Sequence, residues 1–140
     1  MPYLNGNDDL IRQVLSEARV IAVVGQSNDH YYTSYQVYEY LEGQGYGVYG
    51  VNPYIEEVNG ETVYPTLAEV PVNEIDIVNV FRKSVFLSDI VDEAIALGAK
   101  TVWAQLGVFD EAAAEKAHRA GLSIATNLCI RTEHERLFGK

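Results

Sequence analysis

The chain has 140 residues, a length that suits one domain with a sizeable buried core. Twenty acidic residues and ten basic ones give a formal net charge of -10, which disfavours nonspecific binding to nucleic acids or anionic membranes. The one cysteine, Cys129, excludes an intramolecular disulfide and a zinc site built on several cysteines.

The segment from Met1 to Gly6 lacks the basic stretch and apolar run of a signal peptide. No apolar stretch approaches the roughly 18 residues that a membrane span needs. We therefore expect a cytoplasmic protein. Neither a repeat nor a linker interrupts the sequence, so residues 1–140 are expected to form a single domain.

Apolar periodicity predicts alternating helices and strands. In chain order the first elements are a helix capped by Asn7 or Asp8, a strand at 20–24, a helix at about 34–42 capped by Thr33 or Ser34, and a strand at about 47–51. An irregular stretch follows at 53–72, with a turn at Asn59-Gly60 and a short helical piece near 67–70. The remaining elements are a strand at 75–81, a helix capped by Ser84, a strand at 101–104, a helix capped by Asp110, a strand at 122–126 and a short helix near Thr132.

Helices of this length between apolar strands predict right-handed βαβ units. The expected fold is therefore α/β and Rossmann-like, a doubly wound parallel sheet of about five strands with helices on both faces. Ligands of such sheets bind beyond the carboxyl ends of the strands. This rule selects the loops that begin at Gly25, Asn52, Arg82, Gln105 and Asn127.

The loop after the first strand has the composition of a phosphate site. Gly25 permits close approach of a phosphate, Gln26 follows it, and Ser27 and Ser34 offer hydroxyls beside a helix amino end. A tight turn with an ordinary serine cap would look the same, so the pattern alone leaves both interpretations open. There is no Gly-x-Gly-x-x-Gly, and Asn52 stands where an NAD site needs an acidic residue.

Arg82 follows the third predicted strand directly, where its planar guanidinium could contact phosphate oxygens. Lys83 could equally be a solvated surface residue. Four tyrosines, Tyr31, Tyr32, Tyr35 and Tyr54, are expected near the mouth of the pocket, where an aromatic ring could stack on adenine. Packing against the first helix and second strand is the alternative for each ring.

No catalytic or metal constellation emerges. Ser27, Asp29 and His30 lie within four positions of one loop, too close in sequence for a nucleophile, base and orienting acid to align. Cys129 is interpreted as a small buried residue, with a thiol role left open. Three histidines do not supply the converging ligands of a metal site. We therefore expect a protein that is not an enzyme.

Taken together, these residues resemble the small bacterial and archaeal CoA-binding proteins, single Rossmann-like domains similar to the N-terminal domain of the succinyl-CoA synthetase alpha subunit. The segments that carry the resemblance are residues 21–27, Ser34-Tyr35, Val51-Asn52-Pro53, residues 76–82, residues 94–100, residues 102–107, Cys129-Ile130 and Glu133-His134.

The resemblance implies that coenzyme A lies across the carboxyl edge of the sheet. Its phosphates would meet Gly25, Gln26 and Ser27, with Ser34 beside them. The adenosine would lie near Asn52, Pro53, Tyr54, Phe81 and Arg82, and the loop from Gln105 to Gly107 would line the same cleft. The chain departs from the family pattern at Asp29, Tyr32 and Tyr54, where family members often carry basic residues, and at Asn127-Leu128, where an Asp-Arg pair is common.

The sequence thus favours a non-catalytic protein that binds CoA or an acyl-CoA as a sensor or carrier. A mixed disulfide between Cys129 and the CoA thiol is a variant of this hypothesis. The alternatives are an NAD(P)-dependent oxidoreductase or other nucleotide-binding protein, and a nucleotide-domain subunit of a CoA-ligase-like assembly. A protein partner or homo-oligomer is compatible with each hypothesis.

Overall fold

The computed structural model describes residues 3–139 and confirms the Rossmann-like α/β architecture. In chain order the helices are α1 (Asp8–Glu17), α2 (Thr33–Gly43), α3 (Leu87–Ala96), α4 (Glu111–Arg119) and α5 (Ile130–Phe138). The strands are β1 (Val20–Val24), β2 (Gly47–Val51), β3 (Glu57–Val58), β4 (Glu61–Tyr64), β5 (Ile77–Val80), β6 (Thr101–Ala104) and β7 (Ser123–Ala125). Short 3-10 turns occupy Leu67–Glu69 and Ser84–Phe86.

The described strands form one sheet in the order β3-β4-β2-β1-β5-β6-β7. All neighbouring strands are parallel except β3, which pairs antiparallel with β4 at the edge. The chain goes from β1 to β2 on one side of β1, and it returns to β5 on the other side of β1. The strand order therefore reverses between β1 and β5, and this switch point is where the fold opens a crevice.

The sheet is buried on both faces because its strands are apolar on both sides. Helices α3 and α4 cover one face, over a cluster that includes Val78, Val80 and Val102. Helices α1, α2 and α5 cover the other face, where Trp103 and Ile77 are fully buried. This arrangement confirms the prediction of helices on both faces. No helix within residues 3–139 combines the length and apolar character that a membrane crossing requires.

The strand count differs from the expected five because residues 53–72 are not irregular throughout. Asn59 and Gly60 both have positive φ, 51° and 80°, and form the two-residue loop of a hairpin between β3 and β4. Strand β4 then extends the parallel sheet beside β2. The hairpin is short and lies at the sheet edge, which explains why its apolar pattern is faint.

Two predicted helix caps are confirmed and two are wrong. Asn7 and Asp110 accept hydrogen bonds from the backbone of α1 and α4, as expected. Helix α2 begins after Tyr32, whose side chain makes no capping bond, so neither Thr33 nor Ser34 is the cap. The final helix begins at Ile130 rather than near 132.

Ser84 joins two loops instead of capping α3. Its hydroxyl donates to the Gly107 carbonyl over 3.3 Å and accepts from the Phe109 amide over 2.8 Å. Helix α3 starts three residues later, at Leu87. The hydroxyl that suggested a local cap therefore makes a tertiary contact.

Asp76 fixes the amino ends of the central strands. Its carboxylate accepts hydrogen bonds from the Arg19 and Val20 amides over 2.8 and 2.9 Å, and Lys100 Nζ lies 3.3 Å from its other oxygen. Burial alone would raise the pKa of Asp76, but the hydrogen bonds from the two amides and Lys100 outweigh it and hold the pKa below its usual value. The ionised carboxylate therefore stabilises the fold.

Replacement of Asp76 by Asn should lower the free energy of unfolding at pH 7 by about 1–3 kcal/mol, because charge-assisted hydrogen bonds are lost. A depressed pKa adds stability that is present above the unfolded pKa and disappears as the pH falls through the folded value. The difference between wild type and Asp76→Asn should therefore shrink below about pH 4. Urea unfolding at several pH values measures this stability difference, with Asp9→Asn at an exposed position as the control. A difference that does not vary with pH would contradict a lowered pKa for Asp76.

Candidate functional site

The turn after β1 passes very close to the end of β5. Gly25 has a φ of +91°, and a Cβ atom at this position would lie 2.3 Å from the Phe81 carbonyl oxygen. The Gly25 amide donates to the Val51 carbonyl over 2.9 Å, and the Phe81 amide donates to the Val24 carbonyl over 2.8 Å. These contacts bring the carboxyl ends of β1, β2 and β5 together, and only glycine fits at the junction.

Gln26 is fully buried beneath the start of α2. Its Nε2 donates to the Ser27 carbonyl over 2.7 Å and to the Ser34 carbonyl over 3.2 Å. A Cβ on Gly50 would lie 2.7 Å from the Gln26 Cγ, so the small residue in β2 makes room for this side chain. Gln26 therefore supports the loop from below, and its side-chain amide nitrogen donates to carbonyls of the loop and of α2.

Asn52 connects the end of β2 to the same loop. Its Nδ2 donates to the Gln26 carbonyl over 2.8 Å, and its Oδ1 accepts from the Tyr54 amide over 2.8 Å. The Asn52 amide itself donates to the Tyr64 carbonyl at the end of β4. Both polar ends of the side chain thus have protein partners, and the side chain fixes the turn at Pro53.

The backbone amides of the loop that was expected to meet the phosphates already have protein acceptors. The amides of Gly25 and Gln26 both donate to the Val51 carbonyl, and the Ser27 amide donates to the Ser34 hydroxyl over 2.9 Å. By contrast, the amides of Thr33 and Ser34 in the first turn of α2 have no acceptor within residues 3–139. An anion at this edge would therefore meet the amino end of α2.

Two adjoining cavities open at the carboxyl edge and share Gly25 and Asn52. The strand-end pocket, of about 320 Å³, is lined by Val24, Gly25, Val51, Asn52, Pro53, Tyr54, Pro65, Thr66, Leu67, Arg82, Ile90 and Glu93. The loop pocket, of about 560 Å³, is lined by Gly25, Gln26, Ser27, Asn28, Asp29, Tyr32, Thr33, Ser34, Asn52, Ile55 and Phe81. The two pockets adjoin at the switch point, and we refer to them together as the cleft.

Arg82 is the one lysine or arginine among the residues that line these two pockets. Its Cδ would lie 3.2 Å from a Cβ on Gly25, and its guanidinium carbon lies 4.3 Å from the centre of the Phe86 ring. The cation is therefore held beside the switch point by an aromatic face. Lys83 is exposed and lines neither pocket.

The four tyrosines expected at the mouth separate into three groups. Tyr54 lines the strand-end pocket and Tyr32 lines the loop pocket, with 89% and 61% of their surfaces exposed. Tyr31 is exposed but lines neither pocket. Tyr35 is buried, stacks on His30 and places its hydroxyl within hydrogen-bonding distance of Asn59. Burial, its largest influence, raises the pKa of Tyr35.

The loop from Gln105 to Gly107 lies farther along the same edge and lines neither pocket. Gln105 is buried, and its Oε1 accepts from the Ile130 amide over 3.0 Å at the start of α5. The Gly107 amide donates to the Asn127 side chain over 2.7 Å. These two residues shape the loops beside the cleft, and their contact with a ligand stays a prediction.

The residues considered for catalysis are engaged in local contacts. The Ser27 hydroxyl accepts from the Asp29 amide, the Asp29 carboxylate accepts from the Tyr31 amide, and His30 stacks on Tyr35. No nucleophile, base and acid are aligned among them. Within residues 3–139, no group of three or more His, Cys, Asp or Glu side chains is arranged to hold a metal ion.

Cys129 stands at the amino end of α5 and is half-buried. Burial works to raise the pKa of its thiol, but hydrogen bonds from Thr132 and Gln105 outweigh this effect and lower it. The thiol lines neither pocket of the cleft.

Several lining residues were absent from the sequence-based site. Pro65 and Thr66 directly follow β4, so recognition of that parallel strand would have placed them at the carboxyl edge. Ile90 and Glu93 lie three residues apart on α3, the spacing of one helix face. The helical period could therefore have indicated that both face the same pocket.

A further cavity, of about 450 Å³, lies at the opposite, amino edge of the sheet. Asp76 and Lys100 line it and are paired with each other. Open α/β sheets bind ligands at the other edge, and these charges are already neutralised. We therefore place the candidate site at the carboxyl edge.

Comparison with known proteins points to one family. A family model described as a CoA binding domain matches residues 19–135. The chain is 36% identical to the uncharacterized protein YneT of Bacillus subtilis, over 89% of this chain and 91% of that protein. It is 32% identical to the alpha subunit of an ADP-forming acetate–CoA ligase II of Pyrococcus furiosus, over 80% of this chain but 27% of the subunit. A hypothetical protein from Pyrococcus horikoshii has a similar structure, with a TM-score of 0.92 and 39% identity, covering 99% of this chain and 98% of that one.

Substitution of Gly25 by Ala should destabilise the protein by more than about 2 kcal/mol, because the new methyl group overlaps the Phe81 carbonyl in a left-handed backbone. Gly43 is the matched control, since it lies in a helix and no neighbouring atom comes within 4 Å of the place that its methyl group would take. Gly43→Ala should raise stability by about 0.5–1 kcal/mol. Urea unfolding distinguishes the two, and equal effects would refute the close approach.

Proposed function

Because the chain belongs to the CoA binding domain family, we propose that it binds coenzyme A or an acyl-CoA at the carboxyl edge of its sheet. The observation that carries the proposal is the cleft itself, two pockets that meet at Gly25 and Asn52 on the switch point. The identity to the alpha subunit of an acetate–CoA ligase supports the same ligand class.

The diphosphate of the ligand would lie between Arg82 and the amino end of α2. The amides of Thr33 and Ser34 have no acceptor within residues 3–139 and supply neutral donors at the positive end of the helix dipole. Arg82 would supply the positive charge from the opposite side. The sequence-based expectation placed the phosphates at the loop from Gly25 to Ser27 beside a helix amino end. The arrangement proposed here keeps the helix end and shifts the phosphates towards the first turn of α2.

The adenosine would occupy the strand-end pocket. Val51, Leu67 and Ile90 are apolar, and they give the pocket walls that suit the faces of a purine. Tyr54 lies at the rim with its ring free to stack on the base. The pantetheine arm would then run from the switch point towards the loop at Gly107.

We further propose that binding occurs without turnover, in a sensor or carrier role. The contacts of Ser27, Asp29 and His30 with their own loop support this proposal. The acetate–CoA ligase subunit matches this chain over 27% of its length, so the matched region is a fraction of that subunit. That match also favours a second candidate, a nucleotide-domain subunit of a ligase-like assembly.

Incubation of acetyl-CoA with stoichiometric protein should release no free thiol above the rate in buffer, because no activated nucleophile faces the cleft. Chromatographic separation of free CoA from acetyl-CoA measures the release, because a thiol reagent would also react with Cys129. Thiol release that scales with protein concentration would contradict the non-catalytic proposal while leaving CoA binding intact.

Arg82→Ala should weaken CoA binding about tenfold or more, because a charge-assisted hydrogen bond to phosphate is worth about 1.5–3 kcal/mol. Lys83→Ala is the matched control: it removes the same charge from the next residue, which lines neither pocket. Isothermal titration with CoA measures both variants, with NAD and ATP as parallel ligands.

Equal affinity of the two variants for CoA would remove Arg82 from the site. Selective binding of NAD by the wild-type protein would favour the oxidoreductase alternative. Unfolding experiments on both variants establish that any loss of heat reflects the cleft and not the fold.

A further inference from the structure

We propose that the adenosine end of the cleft is built for an unphosphorylated ribose, so that the ribose 3′-phosphate of coenzyme A adds nothing to its affinity. The inference rests on the proposed function, since it concerns which part of coenzyme A the same cleft recognises. It predicts that 3′-dephospho-CoA binds at least as tightly as CoA.

The ribose of a nucleotide in this fold lies beyond the carboxyl end of the second strand. At this point of the chain the backbone offers no free donor. Pro53 has no N–H, the Tyr54 amide donates to the Asn52 Oδ1, and the Asn52 side chain donates to the Gln26 carbonyl. The second N–H of the Asn52 amide is neutral, so a phosphate on the ribose would find no positive charge at the end of β2.

Apart from Arg82, the side-chain donors of the strand-end pocket are also neutral. The Thr66 hydroxyl donates to the Glu69 carboxylate over 2.9 Å. The Tyr54 hydroxyl remains as a neutral donor on an exposed ring. A ribose hydroxyl needs no more than such neutral partners, whereas a phosphate needs positive charge to replace its lost hydration.

Arg82 is the single cation among the residues that line the two pockets. The Arg82 side chain passes Gly25 and stacks its guanidinium on Phe86, in the loop after β5. The other charged residues that line the two pockets are Glu93 and Asp29, both acidic. The two pockets therefore contain one cation and two carboxylates, and an added phosphate would increase the repulsion.

The test compares CoA with 3′-dephospho-CoA by isothermal titration at low ionic strength, where charge effects are least screened. The measured quantity is the ratio of the two dissociation constants, and the two ligands differ by one phosphate alone. For the wild-type protein we expect dephospho-CoA to bind with an equal or lower Kd.

Tyr54→Lys should reverse the preference, because it places a cation at the rim of the strand-end pocket. We expect the Kd of CoA to fall about three- to tenfold relative to that of dephospho-CoA. Tyr54→Gln removes the ring without adding charge, so it should alter both affinities alike and leave the ratio unchanged. Gln13→Lys adds the same charge at an exposed position of α1 that lines neither pocket of the cleft, so it should also leave the ratio unchanged.

Tighter binding of CoA by the wild-type protein, by threefold or more, would overturn the inference and leave the proposed function standing. An unchanged ratio in Tyr54→Lys would show that the ribose phosphate does not lie at the end of β2. If neither ligand binds to the wild type or to Tyr54→Lys, the proposed function fails and the inference fails with it.

Discussion

The close approach of the first loop to β5 is the constraint on which the candidate site depends. A side chain at Gly25 would overlap the Phe81 carbonyl at 2.3 Å, so the backbone itself fills the space at the switch point. That proximity lets the Val51 carbonyl accept from both the Gly25 and Gln26 amides, and it sets the start of α2 above the sheet. The cleft opens where these three strand ends converge, because the chain leaves β1 and β5 in opposite directions.

The loop is held by hydrogen bonds among its own polar groups, although the buried Gln26 Oε1 has no partner within residues 3–139. Gln26, Ser34 and Asn52 each bond to backbone atoms of the loop or of a neighbouring strand end. Buried polar groups must be paired in this way, and the pairing makes the loop rigid. The same pairing removes the early amides from ligand binding, so the anion-binding capacity moves to the first turn of α2. The loop residues therefore make the site rigid, and the adjacent first turn of α2 is left to contact a ligand.

The central strands could be predicted from the sequence because each is a short apolar run buried on both faces, as in Val20–Val24 and Ile77–Val80. The β3–β4 hairpin could not be predicted, because Glu57–Val58 is two residues long and Glu61–Tyr64 carries polar residues at the sheet edge.

Ser34 and Ser84 were expected to cap helices because serine favours that position. The Ser84 hydroxyl instead bonds to the distant residues Gly107 and Phe109, and the Ser34 hydroxyl accepts from the Ser27 amide of the preceding loop. Residue type cannot distinguish a helix cap from these other partners. Gly25, Asn52 and Arg82 were predicted from their places at strand ends. Tyr54 was expected at the pocket mouth, and the family resemblance added Pro53. The fold brings all five residues into one pocket. The contribution of each side chain depended on partners that only the folded chain supplies.

Charge then determines what such a cleft can hold. A protein with a net charge of -10 repels a polyanion at long range, so affinity must come from short contacts inside the cleft. Under the proposed function, those contacts come from amide dipoles, one guanidinium and aromatic or apolar walls, which favour a flat base and a diphosphate over additional phosphate groups. The acidic surface and the uncharged end of β2 therefore act in the same direction. Both favour a ligand that carries fewer negative charges than CoA with its ribose phosphate.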